Sequence, residues 1–127
     1  MDKDSLVSSG HALVKAMDKS GIVPRLAMWV HSPDADTWKL WLVPPAGRFK
    51  SKDKREFYIR IAKLIAEERD TLGNIDVSDV EMILDTHPVA IGMRGFLRMP
   101  GLGSAHFSGN VFNGFYLPDG IVLRCDL

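Results

Sequence analysis

Two short apolar stretches rich in aromatic residues constrain this chain most. Arg25-Leu-Ala-Met-Trp-Val-His31 and Trp38-Lys-Leu-Trp-Leu-Val43 flank the spacer Ser-Pro-Asp-Ala-Asp-Thr. Proline and aspartate are turn formers, so the segment reads as a β-hairpin. Strand side chains alternate between faces, and here both faces of the first strand are apolar. Leu26, Met28 and Val30 fall on one, Ala27 and Trp29 on the other. Such a strand lies inside a sheet covered on both sides, or at an interface.

The other elements follow from periodicity and punctuation. A first helix is expected from Asp4 or Ser5 to about Lys19, capped by Asp4 and closed by Gly21. Leu6, Leu13, Val14 and Met17 share one of its faces. Gly10 falls mid-helix at a cost of roughly 1 kcal/mol, either to admit a close neighbour or as a weak point. Pro44-Pro45 ends the second strand, because proline has no N–H for a ladder. A second helix is expected over about 53–71, with Phe57, Ile61, Leu64 and Ile65 as its stripe and Gly73 near its end. Residues 79–84 alternate in part and predict a third strand. Thr86 is placed to cap a third helix over about 87–99, with Pro88 in its first turn. The C-terminal part reads as strands over 111–117 and 121–125 around a turn at Pro118-Asp119-Gly120, with a further short strand near 105–108.

The order α-β-β-α-β-α-(β)-β-β predicts an α+β fold: one mixed or mainly antiparallel sheet of five or six strands with three helices. At 127 residues, the chain reads as a single domain spanning 1–127. A chain of this size buries about two-thirds of its unfolded surface without staples. Its one cysteine, Cys125, excludes an internal disulfide and CxxC-type zinc sites. The acidic start Met-Asp-Lys-Asp is unlike a secretory signal. The longest apolar runs are far short of the ~20 residues that span a bilayer. These features lead us to expect a cytoplasmic protein with no membrane partner.

Sixteen basic and sixteen acidic residues balance, which excludes polybasic and polyacidic tails. The balance hides a local asymmetry. Residues 48–60 carry six basic side chains against two acidic ones, and 64–86 carry seven acidic against one basic. A solvated loop followed by a solvated helix face accounts for both.

The phrases at 25–30 and 38–43, together with Phe107-Ser-Gly-Asn-Val-Phe-Asn-Gly-Phe-Tyr116, resemble a group of small uncharacterised bacterial proteins over most of the chain. The resemblance implies no activity.

Several residues are candidates for chemistry. Met99-Pro-Gly-Leu-Gly-Ser-Ala-His106 is a glycine segment whose amides could cradle an anion. Gly101, Gly103, Ser104 and His106 are its candidate binding residues. The segment lacks the lysine of a P-loop and the third glycine of a dinucleotide fingerprint. It also leads from helix to strand, where those motifs lead from strand to helix. Ser104 lacks the flanking glycines of a nucleophile elbow. Asp85 and His87, with His31 or His106, are competent metal ligands, but without a second tight pair their place at a helix start explains them better. Asp34 and Asp36 read as turn formers rather than a carboxylate pair. Cys125 reads as buried, with Arg124 on the opposite face. Arg48, Lys50 and Lys52 lie in a basic loop where Phe49 could stack on a base, although the neutral overall charge argues against a nucleic-acid partner. Trp29, Trp38 and Trp41 are core residues or the wall of a groove or interface. No catalytic set, metal site or cofactor emerges.

The reading that fits best is a non-enzymatic interaction module that self-associates or takes a protein partner. The alternatives are a small hydrolase or phosphoryl-transfer enzyme built on Gly101–His106, and a weak nucleic-acid binder acting through Arg48–Arg55.

Overall fold

The computed structural model describes residues 2–127. Its elements are α1 (Lys3–Lys19), β1 (Leu26–Ser32), β2 (Thr37–Val43), α2 (Lys54–Glu67), α3 (Arg69–Leu72), β3 (Val80–Met82), α4 (Pro88–Phe96), β4 (Ala105–Phe112) and β5 (Phe115–Cys125). The strands form one mixed sheet in the order β3-β2-β1-β5-β4. Neighbours are antiparallel except β2 and β3, which run parallel. The chain is α+β, with three helices of two turns or more and the single-turn α3.

β1 is the central strand, and its two apolar faces meet two cores. Ala27 and Trp29 join Leu40, Leu42, Ile121 and Leu123 beneath α1, α2 and α3. Leu26, Met28 and Val30 join Val43, Val122 and Cys125 beneath α4. Covering layers on both sides therefore explain why β1 carries no polar face.

α1 approaches the sheet closely because Gly10 has no side chain. A Cβ there would sit 2.4 Å from Leu123 Cδ1 and 2.8 Å from Trp29 Nε1. The gap lets the buried indole N–H donate to the Leu6 carbonyl at 2.7 Å. A register shift in β5 adds a second tie. Ala27 faces Arg124 but Met28 faces Val122, so Leu123 is an extra residue. Such a bulge turns two successive side chains the same way. Leu123 enters the α1 core and Arg124 reaches Asp18 of α1 through a two-pronged pair of 2.8 and 2.9 Å.

Several boundaries differ from the sequence reading. The cap of α1 lies two residues earlier than expected, because Asp2 rather than Asp4 accepts the Ser5 amide at 2.7 Å. The helix expected over 53–71 breaks at Glu68, and α3 turns Leu72 into the core. Arg69 then holds the Gly73 and Ile75 carbonyls. His87, not Thr86, caps α4: its Nδ1 accepts the Val89 amide at 3.1 Å. α4 ends at Phe96, and Met99 pairs instead with Cys125 as an extended bridge, the conformation favoured before Pro100.

The C-terminal hairpin turns at Asn113-Gly114, not at Pro118-Asp119-Gly120. Asn113 and Gly114 both have positive φ (50° and 84°), as a tight two-residue hairpin turn requires. Pro118 and Gly120 lie inside β5. Pro118 is tolerated because β1 pairs with β5 only from Gly120 onward. Gly120 is required because the Phe107 ring lies on it, 2.2 Å from where a Cβ would stand.

Candidate functional site

The structure separates the three tryptophans. Trp29 is 1% exposed in the α1 core and offers no surface to a ligand. Trp38 is half-buried and packs at a tilt against His31, ring centroids 5.0 Å apart. His31 also donates through Nε2 to Asp36 at 3.0 Å. Trp41 lies three residues from Trp38 on β2 and so faces the opposite side of the sheet, towards α4.

The basic loop is anchored rather than open. Phe49 is buried with φ of 54° and packs edge-on to Phe57 at 5.3 Å. It is therefore not free to stack on a base, which corrects the sequence expectation. Arg48 lies over the Phe49 ring and donates to the Gly21 carbonyl at 2.8 Å. Lys50 and Lys52 remain exposed.

The glycine segment is a connection between α4 and β4. The Gly103 amide already donates to the Leu123 carbonyl at 2.9 Å, and the Gly103 carbonyl accepts from His11 Nε2 at 2.7 Å. A cradle would need that amide free. Gly101, Ser104 and His106 are exposed beside it.

Asp85 pairs with Arg25 at 3.0 Å, and His87 Nδ1 is occupied by its own helix. Among the described residues no three His, Cys, Asp or Glu side chains gather as a metal site. Cys125 is buried on the α4 side, and burial pushes its thiol pKa up. That is the opposite of the electropositive, partly exposed setting a reactive thiolate needs. Among the described residues no helix is long and apolar enough to cross a membrane.

Two features escape the sequence reading. The first is an aromatic cluster. Trp41, His87 and Phe115 meet with centroids 5.2–6.1 Å apart. They wall a cavity of about 450 Å³ that also touches Ser51, Lys54 and Glu81. Burial lowers the His87 pKa. Because Nδ1 accepts the Val89 amide, the neutral ring carries its proton on Nε2. Glu81 accepts from the Tyr58 hydroxyl at 3.1 Å and lies 3.7 Å from Lys54.

The second is a difference between the sheet edges. β3 is three residues long, and its Met82 amide donates to the Tyr58 hydroxyl at 2.9 Å. Lys39 also reaches the Ser78 carbonyl just before it. β4 is eight residues long and, among the described residues, pairs only with β5. Only Asn113-Gly114 announces this edge in the sequence, by fixing where β4 must stop.

Comparisons with protein-family models, with curated proteins and with solved structures find no match, so the site's own chemistry has to carry the functional reading.

Proposed function

We propose that this protein is a non-enzymatic self-associating module in which β4 of one copy pairs antiparallel with β4 of a second. The observation that carries the reading is the β4 edge itself. Its sequence, Ala105-His-Phe-Ser-Gly-Asn-Val-Phe112, has no proline, lysine, arginine or carboxylate. Those are the residues that normally blunt a free edge. Two identical antiparallel strands satisfy two-fold symmetry, and a strand without lysine, arginine or carboxylate brings none of those like charges against its copy.

Apolar side chains flank the edge. Val111 (63% exposed) and Tyr116 (58%) face each other across the hairpin, and Phe96 (52%) packs edge-on to Phe112. Such surface favours a partner over water. Two devices keep the assembly finite. Gly109, with φ of 62°, kinks β4 opposite Pro118, so only part of the strand is straight enough to pair. The β3 edge is short and capped, so pairing does not continue from the far side of the sheet.

Sedimentation velocity tests the reading. The wild-type protein should form a dimer whose fraction rises with concentration. Val111→Lys, at an exposed position on the hairpin, should give a monomer with an unchanged circular dichroism spectrum. A wild-type monomer at about 100 μM, where a dimer of ordinary weak affinity is well populated, would overturn it.

A further inference from the structure

The Trp41 cavity does not end at its aromatic wall. A second cavity of about 240 Å³ adjoins it and shares Ser51, Leu84 and Thr86. Pockets of a few hundred Å³ with apolar walls and a few placed polar groups are the usual form of small-ligand sites. The two ends differ in chemistry. One is lined by Trp41 and Phe115, whose rings meet edge to face. The other is lined by Arg25, Arg48, Lys50 and Asp85.

The charges do not cancel at that second end. Arg25 is paired there with Asp85 at 3.0 Å, while at the aromatic end Lys54 pairs with Glu81 at 3.7 Å. Asp53 is turned to the Lys50 backbone amide at 3.0 Å. Among the described residues Arg48 and Lys50 have no carboxylate partner; Arg48 donates only to a backbone carbonyl. A cavity with an aromatic wall therefore adjoins one whose Arg48 and Lys50 have no carboxylate partner.

We propose that the joined cavities bind a small planar aromatic anion, its ring against Trp41 and Phe115 and its acidic group towards Arg48 and Lys50. The ring replaces water on an apolar wall, and the anion supplies the counter-charge that Arg48 and Lys50 do not find in a carboxylate of this chain. His87 adds an Nε2–H donor to the aromatic wall, because its Nδ1 accepts the Val89 amide. Two kinds of molecule carry this chemistry, aromatic carboxylates and nucleotides, and the experiment separates them.

Titration calorimetry and the shift of the Trp41 indole N–H in amide NMR spectra would use indole-3-acetate and adenosine monophosphate as the two anions. Indole, adenosine and inorganic phosphate serve as the neutral and ring-free counterparts. At least one anion should bind with a Kd below about 1 mM and at least about tenfold more tightly than its neutral counterpart and than phosphate. Which anion binds identifies the source. Lys50→Glu and Ser51→Trp, both at exposed positions, should each weaken binding by about tenfold or more, the first by reversing a charge and the second by filling the shared boundary. Unchanged melting temperatures would confirm that both variants fold. No saturable binding of either anion, equal binding of a neutral ring or of phosphate alone, or no effect of Ser51→Trp would each overturn the proposal.

Discussion

Replacing Gly10 by alanine should destabilise this protein, although the position is the interior of a helix. Helix propensity alone favours alanine by about 1 kcal/mol. The added Cβ, however, would stand 2.4 Å from Leu123 Cδ1 and 2.8 Å from Trp29 Nε1. The leucine methyl can move, at the overpacking cost of about 1–3 kcal/mol seen in well-filled cores. The indole has less freedom, because it is buried and its N–H donates to the Leu6 carbonyl at 2.7 Å. Stranding that donor costs about 1–3 kcal/mol. Subtracting the propensity gain leaves a net loss of about 1–5 kcal/mol, centred near 3. Gly95 in α4 is the internal control, since nothing lies within 4 Å of a Cβ there. Gly95→Ala should stabilise by about 0.5–1 kcal/mol. Urea unfolding with matched m-values measures both changes. For a domain of this size each kcal/mol moves Tm by about 3–5 °C. Trp29→Phe removes the indole donor, so the Gly10→Ala penalty should shrink in that background. A Gly10→Ala variant as stable as the wild type would refute the close-approach reasoning, as would equal shifts at Gly10 and Gly95.

Stability should fall in mild acid through His87. Burial lowers its folded-state pKa, so the unfolded chain binds the extra proton first. The contribution of His87 is complete above the ordinary histidine value of about 6.5 and is lost as pH drops below it. Urea midpoints between pH 8 and 5 should show this slope in the wild type and not in His87→Asn; equal slopes would exclude His87 as the source. Asp18→Ala leaves the Arg124 guanidinium, in a residue only 8% exposed, without its carboxylate. The loss should be about 2 kcal/mol, less than for a fully buried pair because Asp18 reaches solvent; a change below about 0.5 kcal/mol would place this pair with ordinary surface pairs. Cys125 should react with a thiol reagent at least about 10³-fold more slowly in the folded protein than in urea, because the buried thiol must first be exposed by opening. Rapid labelling without denaturant would contradict its burial.

What the sequence discloses here is governed by range. The two-sided character of β1 is written in seven consecutive residues, because strand alternation is a local rule. Both cores follow from it. The Gly10 alternatives are local too, but choosing between them needs Trp29 and Leu123, which only the folded chain brings to the helix. The order β3-β2-β1-β5-β4 is set by pairing between distant segments, and no local pattern encodes it. The basic loop is legible as charge, but the inward turn of Phe49 against Phe57 depends on a contact that only the fold makes.

The misplaced hairpin turn has a different cause. Both Asn113-Gly114 and Pro118-Asp119-Gly120 are turn-forming sequences, so composition alone does not choose between them. The choice is made by Phe107 and the end of β1. Phe107 needs a glycine opposite, and Gly120 supplies it. β1 stops pairing at Gly120, so the missing amide of Pro118 breaks no bond to β1. Once the turn is fixed at Asn113-Gly114, β4 lengthens to eight residues and Phe115 falls on the α4 side beside Trp41 and His87. The long edge and the aromatic wall are thus two consequences of one turn. Neither follows from a turn at Pro118-Asp119-Gly120, five residues further along the chain.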